Sequence, residues 1–94
     1  MGNIEKNFFE SYDSYDISLG ELLRGERATL GKSCLDIQND LKIKAQYIKA
    51  IEKCDARNLE NKSFIAGYVR TYAKYLGLDP DYVYDRFCKE SGFI

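Results

Sequence analysis

Few residues of this chain have the types and the spacing that enzymatic chemistry requires. The sequence contains no histidine. It also has no glycine-rich phosphate loop after a strand, and no serine or cysteine beside an evident base. Asp36 and Asp40 are two carboxylates at helical spacing, but such a pair on a short helix is typical of a solvated face rather than of a catalytic dyad. We therefore expect no enzymatic activity and no cofactor.

The cysteines also give little indication of chemistry. Cys34, Cys54 and Cys88 are an odd number at wide spacing in a chain without histidine, which fits neither a disulfide framework nor a zinc site. Each is interpreted as a small buried apolar residue, and Cys34, near the start of a predicted helix, comes closest to a reactive thiol. No apolar run approaches the ~20 residues of a membrane span, and the N-terminus does not have the pattern of a signal peptide. The chain is expected to be a reduced, cytoplasmic protein.

Binding chemistry is concentrated in the segment "SFIAGYVRTYAKYLG", residues 63–77. On a helix, its four rings fall within about 80° of one another, and the aliphatic residues Ile65, Val69 and Leu76 form the adjacent core arc. Large aromatics at the edge of a core often anchor protein interfaces. The candidate protein-binding residues are Phe64, Tyr68, Tyr72 and Tyr75, with Gly67 beside them.

Two interpretations of this segment remain open. In the first, the rings bind a partner. A glycine inside a helix costs roughly 1 kcal/mol relative to alanine, which suggests that the backbone of that partner approaches closely at Gly67. In the second, the rings cover the core against the next helix, and periodicity cannot distinguish the two interpretations.

A second candidate surface is basic. Residues 42–53 carry four lysines against the single acid Glu52, on a helix whose residues Tyr47, Ile48 and Ile51 face inward and whose residues Ala45 and Ala50 face outward. Lysines contact phosphates, and a glutamine can reach a base edge in the major groove. The candidate DNA-binding residues are Lys42, Lys44, Gln46, Lys49 and Lys53. Gln38 and Lys42 depart from the small residue and the turn glycine that are usual in DNA-binding helix-turn-helix units.

The elements that position these residues are predicted to be helices. Ser18 and Glu21 form a capping box that starts helix 1, which Gly31 ends. Ser33 caps helix 2, and a tight connection at Lys42 leads into helix 3, so that the two read as a helix-turn-helix. Helix 4 runs from about residue 63 to 76 and ends at Gly77, and Asp79 with Pro80 starts helix 5, which reaches about Ser91. No strand pattern is present, and we predict an all-α domain of five helices over residues 18–94.

Charge divides the chain into three parts. Residues 1–21 carry one basic and five acidic side chains, residues 22–78 carry eleven against six, and residues 79–94 carry two against four. Residues 1–17 are acidic and aromatic without helical spacing, and are predicted to form a mostly disordered arm. Within the domain, Glu52 borders the core and is predicted to pair with Arg24 or Arg27 of helix 1, because a carboxylate there needs a cationic partner.

Three stretches together carry a family resemblance: "SLGELLRGERATLGKS", "LKIKAQYIKAIEKCD" and "SFIAGYVRTYAKYLGLDP". They resemble the cytoplasmic helix-turn-helix domain of the RodZ family of bacterial cell-shape proteins, itself a relative of lambda-repressor-like DNA-binding domains. The resemblance covers residues 18–87. Its most specific part is the pattern of aromatics, glycine and arginine on helix 4, continuing into Leu-Gly-Leu-Asp-Pro.

The resemblance implies a five-helix, lambda-repressor-like fold that binds the bacterial actin MreB and links its filaments to the membrane and to wall synthesis. The family's actin-contacting aromatics match Phe64 and Tyr68, and Tyr72 and Tyr75 extend the same edge. RodZ proteins normally continue through a transmembrane helix, so the expectation for a chain that ends at Ile94 is either the cytoplasmic part of an inner-membrane protein or a stand-alone relative. Some homologous domains are DNA-binding regulators, and that alternative stays open.

Overall fold

The computed structural model describes residues 17–59 and 62–93. Within them the chain forms five α-helices and no strand. These are α1 (Leu19–Thr29), α2 (Cys34–Leu41), α3 (Ala45–Glu52), α4 (Lys62–Tyr75) and α5 (Pro80–Ser91), with a 3₁₀ turn (Ala56–Asn58) between α3 and α4. The prediction of an all-α fold is confirmed. The predicted arm lies outside the described residues except for Ile17.

Local hydrogen bonding explains where the helices begin and end. The Ser18 hydroxyl accepts from the Glu21 N–H at 3.1 Å, and Ser33 accepts from the Asp36 N–H at the same distance. Both acids also accept from the backbone of their serine, which completes two capping boxes. Asp79 accepts from two N–H groups at the start of α5. Gly77 follows α4 with φ +81°, a conformation that glycine adopts without strain.

The connection between α2 and α3 uses the two residues that depart from the usual helix-turn-helix pattern. Lys42 adopts the left-handed conformation, with φ 61°, in which its N–H donates to the Gln38 carbonyl at 2.8 Å. The Gln38 side-chain oxygen accepts from the Ala45 N–H, also at 2.8 Å, so Gln38 caps α3 from the preceding helix. The turn therefore forms without a glycine, at a local backbone cost of about 1–2 kcal/mol at Lys42.

The core lies between the five helices. Its fully buried side chains include Leu19, Leu23, Ile37, Ile48, Ile51, Ile65, Val69, Tyr72, Val83 and Phe87. A buried guanidinium joins the start of α1 to the end of α5: Arg86 Nη2 donates to the Ile17 carbonyl at 2.9 Å, and Arg86 also pairs with Glu90. Glu90 in turn accepts from the Leu19 N–H at 2.9 Å.

Glu52 is the point at which α1, α3 and α4 meet. Its carboxylate accepts from Arg27 Nε at 2.7 Å and from Arg27 Nη2 at 3.0 Å, and the Tyr72 hydroxyl also donates to it. The prediction of an Arg–Glu52 pair is confirmed for Arg27, whereas Arg24 donates instead to the Glu52 backbone carbonyl at 3.2 Å. The hydrogen bond to Glu52 raises the pKa of Arg27. Burial, reinforced by the bond to Glu52, raises the pKa of Tyr72.

Gly20 allows α1 to approach α3 this closely. A Cβ atom at Gly20 would lie 2.1 Å from the Glu52 carbonyl oxygen, which is far inside van der Waals contact. No signal in the sequence indicates the need for a glycine at this position, because the approach is between helices distant in sequence.

Candidate partner-binding surfaces on α3 and α4

An exposed cluster of rings lies at the N-terminal half of α4. Phe64 is 54% exposed, and its ring centroid is 6.0 Å from that of the half-buried Tyr68, at an interplanar angle of 43°. Tyr68 stacks on Tyr47 of α3, with centroids 5.4 Å apart and planes 25° apart. Lys44 Nζ lies 5.6 Å from the centre of the Tyr47 ring. We call Phe64, Tyr68 and Tyr47 the aromatic platform.

The helical period of α4 explains why these rings lie at the edge of the core. Ile65, Val69 and Ala73 are buried on the arc that faces the other helices, as the aliphatic spacing predicted. Phe64 and Tyr68 are one residue earlier at each turn, so they lie about 100° around the helix from that arc. Tyr47 is buried, as predicted for α3, and is the inner member of the platform.

Tyr72, one of the four candidate protein-binding rings of α4, does not lie on an exposed surface. Tyr72 is fully buried, because its position borders the aliphatic arc and its hydroxyl has a buried acceptor in Glu52. It belongs to the core rather than to an exposed surface.

Tyr75 is separated from the platform. It lies eleven residues after Phe64, about 16 Å along the helix axis, and its hydroxyl donates to Asp40 of α2 at 2.6 Å. That bond raises the pKa of Tyr75 and lowers the pKa of Asp40. The structure therefore brings Phe64 and Tyr68 together and places Tyr75 in a contact between α4 and α2.

Gly67 lies on the open side of α4. It is exposed, and a Cβ atom there would meet no atom of the described residues within 4 Å. Because glycine has no side chain, the backbone of α4 is accessible beside Phe64. No contact within the described part of the chain requires a glycine, so close approach by a partner backbone stays a prediction.

The lysines in and beside α3 lie in three separate places rather than along one stripe. All five candidates, Lys42, Lys44, Gln46, Lys49 and Lys53, are exposed. Lys44 lies beside the aromatic platform, whereas Lys49 and Lys53 face an open cavity of about 390 Å³. We call this the basic cavity, and it is lined by Gln46, Lys49, Ala50, Lys53 and Asn58. Lys42 lies at the turn, where its Nζ donates to the Asn39 carbonyl at 3.0 Å.

The expectation that Ala50 faces solvent is wrong. Ala50 is buried, because the chain after α3 folds back over it: the Asp55 N–H donates to the Ala50 carbonyl at 2.9 Å. Asn58 of the following 3₁₀ turn lines the same cavity, and no signal in the sequence indicated its role there.

Cys34 and Cys54 are not activated thiols. Burial raises the pKa of Cys34 and raises the pKa of Cys54 to about 11. Both thiols are therefore protonated at neutral pH, which disfavours nucleophilic chemistry.

Comparison with known proteins gives one match. A family model described as "Helix-turn-helix domain" matches residues 22–83, from the first half of α1 into α5, which is about two thirds of the chain. No curated protein and no solved structure gives a significant match. None of the helices in residues 17–59 and 62–93 is both long and apolar enough to cross a membrane.

Proposed function

Starting from the helix-turn-helix domain family, to which this chain belongs, we propose that it is a RodZ-type adaptor that binds the bacterial actin MreB through the aromatic platform. The observation that carries the proposal is the exposure of Phe64, a large apolar side chain held against Tyr68 at the rim of an otherwise complete core. Aromatic side chains in such positions are the usual anchors of protein interfaces. The proposal includes a location on the cytoplasmic side of the membrane, where a bacterial actin polymerises.

The geometry favours a platform that is ready before binding. Tyr68 is fixed by its stack on Tyr47, and α4 is fixed by its packing against α5 and by the Tyr72–Glu52 hydrogen bond. A side chain that is already ordered loses little entropy on association. Phe64 and Tyr68 are therefore the residues whose truncation should weaken actin binding most.

The test measures binding and folding separately. Phe64→Ala should weaken binding to polymerised MreB by about thirtyfold, the equivalent of ~2 kcal/mol for an anchor residue. Its effect on the free energy of unfolding should be only ~1 kcal/mol, well below the ~3–5 kcal/mol of a fully buried phenylalanine. Tyr68→Ala should weaken binding as much and cost more stability, because it also removes the stack on Tyr47.

Two variants serve as controls in the same pelleting assay and the same denaturant melts. Leu35 on α2 is 58% exposed, so Leu35→Ala removes a comparably exposed apolar side chain and should bind like the parent. Ile65→Ala, in the buried arc, should destabilise the fold by ~2 kcal/mol or more and leave the affinity of the folded fraction nearly unchanged. Parent-like binding by Phe64→Ala and Tyr68→Ala would refute the actin contact.

DNA binding is the second candidate function, and the basic cavity favours it. Lys49 and Lys53 present two ammonium groups beside the amide of Gln46 on the exposed side of the helix-turn-helix. If they contact phosphates, replacing both by alanine should reduce the slope of log affinity against log salt by about one unit per lost contact. A salt-independent affinity, or no binding to mixed genomic fragments at low salt, would exclude this function.

A further inference from the structure

The basic cavity is concave because the chain after α3 folds back beside that helix. Cys54 adopts the left-handed conformation, with φ 51°, and the Asp55 N–H then donates to the Ala50 carbonyl at 2.9 Å. This reversal places the 3₁₀ turn against α3, and Asn58 of the turn lines the basic cavity. The outer side of α3 is therefore one wall of a depression rather than a free convex surface.

Two lysines in this depression carry uncompensated charge. Lys49 and Lys53 are exposed, and neither forms an ion pair with a carboxylate in residues 17–59 and 62–93. They are four residues apart on α3, so their Cβ atoms are about 5–6 Å apart and their like charges destabilise the helix. An anion bound between the two ammonium groups would relieve that repulsion.

The two carboxylates nearest to Lys53 in sequence are held by other groups. Glu52 is buried in its ion pair with α1. Asp55 accepts from Arg57 Nε at 3.1 Å and from Asn58 Nδ2 at 2.6 Å, so its charge is offset by that of Arg57. The second of these bonds also fixes the Asn58 amide, whose nitrogen carries two N–H donors and uses one of them here.

The lining of the basic cavity matches a phosphate group in chemistry and in size. Two ammonium groups and the amides of Gln46 and Asn58 face it, and ammonium groups form strong charge-assisted hydrogen bonds with phosphate oxygens. Its volume of about 390 Å³ lies in the range of small-molecule sites. A compact anion fits between α3 and the turn, whereas a DNA groove receives a helix that protrudes from the surface.

We propose that the basic cavity binds a compact phosphate group, a monoester or a diphosphate, with Lys49 and Lys53 as its counter-ions and Gln46 and Asn58 as further donors. Soluble nucleotides carry such a group, and so does phosphatidic acid at a membrane surface. The inference does not depend on the actin contact, because the cavity shares no residue with the aromatic platform. It assigns the lysines of the DNA alternative to a smaller ligand.

The first test titrates the full chain with inorganic pyrophosphate and follows the amide signals by nuclear magnetic resonance. The signals of Gln46, Lys49, Lys53 and Asn58 should shift along one saturable curve. Lys49→Met and Lys53→Met keep the aliphatic stem, and each should raise the dissociation constant by about tenfold, because each removes a charge-assisted contact. Lys74→Met, which removes the charge of an exposed lysine on α4, is the matched control and should bind like the parent.

Two results of this titration would overturn the inference. The first is parent-like affinity in Lys49→Met and Lys53→Met. The second is an equal loss of affinity in Lys74→Met, because binding would then follow the net charge of the protein and not the cavity. Pelleting of the cavity variants with polymerised MreB should equal that of the parent, so this result is separate from the test of the proposed function.

A second test separates the two sources of the phosphate group. The chain is pelleted with phosphatidylcholine vesicles that contain or lack phosphatidic acid, and it is titrated with adenosine diphosphate. Pelleting that needs phosphatidic acid and is lost in Lys53→Met would assign the cavity to a lipid headgroup, and saturable shifts with the nucleotide alone would assign it to a soluble ligand. Binding of neither, or a mixed-sequence DNA duplex that pyrophosphate does not displace from Lys49 and Lys53, would overturn the inference.

Discussion

Replacing Arg27 by leucine tests whether Glu52 organises the fold. The Glu52 side chain is 4% exposed and that of Arg27 is 20% exposed, so Arg27→Leu leaves a buried carboxylate with the Tyr72 hydroxyl as its remaining side-chain partner. Breaking a buried ion pair by removing one partner typically costs 3–5 kcal/mol. Because Arg27 is partly exposed and Tyr72 still donates, we expect the lower end, ~3 kcal/mol. For a domain of this size that corresponds to a fall in Tm of roughly 12–24 °C.

The measurement is urea denaturation followed by circular dichroism at pH 7.5. Arg24→Leu is the matched control: Arg24 is exposed and donates only to a backbone carbonyl of Glu52, so its loss should cost ~1 kcal/mol or less. Adding Glu52→Gln to Arg27→Leu should restore more than half of the lost stability, because no uncompensated charge remains.

A loss below ~1 kcal/mol for Arg27→Leu would refute this reasoning, since the penalty for an unpaired buried carboxylate should exceed that value. Failure of Glu52→Gln to restore stability in the Arg27→Leu background would do so as well, because the deficit would then not arise from the charge of Glu52.

Three further predictions concern the same framework. The raised pKa of Tyr72 contributes stability that is fully present below pH 10 and is lost as the pH rises. In urea melts above pH 10, the free energy of unfolding of the parent should therefore fall by about 1 kcal/mol more per pH unit than that of Tyr72→Phe. Parallel profiles of unfolding free energy against pH would contradict this. Gly20→Ala should destabilise the fold by more than ~2 kcal/mol despite the better helix propensity of alanine, because its Cβ would meet the Glu52 carbonyl at 2.1 Å; an unchanged Tm would show that α1 can move away freely. Lys42→Gly should raise the free energy of unfolding by up to ~1 kcal/mol by relieving the left-handed conformation, and a decrease would mean that the lysine side chain outweighs that relief.

The helix ends were predictable because they depend on neighbours in sequence. Ser18 with Glu21, Ser33 with Asp36, and Gly77 act within three or four residues, so residue type and spacing determine the hydrogen bonds. The inward faces of α3 and α4 followed from a 3.6-residue period for the same reason. For Glu52, the sequence predicted only that its carboxylate needs a cationic partner from α1. Which of Arg24 and Arg27 provides it depends on how the helices pack.

What the sequence could not predict depends on contacts between distant segments. On α4, Tyr72 lies between the residues of the exposed edge and those of the core arc. It is buried because its hydroxyl donates to Glu52 of α3. Ala50 is buried by a loop whose path no periodicity describes. The need for glycine at position 20 follows only from the close approach of α1 to α3. For the candidate surfaces, the sequence therefore identified Phe64, Tyr68 and the lysines, but not which of them are neighbours.

The two links between α3 and α4 have a consequence for the connector that joins these helices. Their relative placement is held by the Tyr72–Glu52 hydrogen bond at one end of α3 and by the Tyr47–Tyr68 stack nearer the other. The connector contributes the buried Leu59, whereas the side chain of Arg57 is 90% exposed. Since the entropy of closing a loop grows only slowly with its length, extra residues at Arg57 should leave the aromatic platform in place. This position is therefore where a reporter domain can be grafted between the two helices while the aromatic platform is kept.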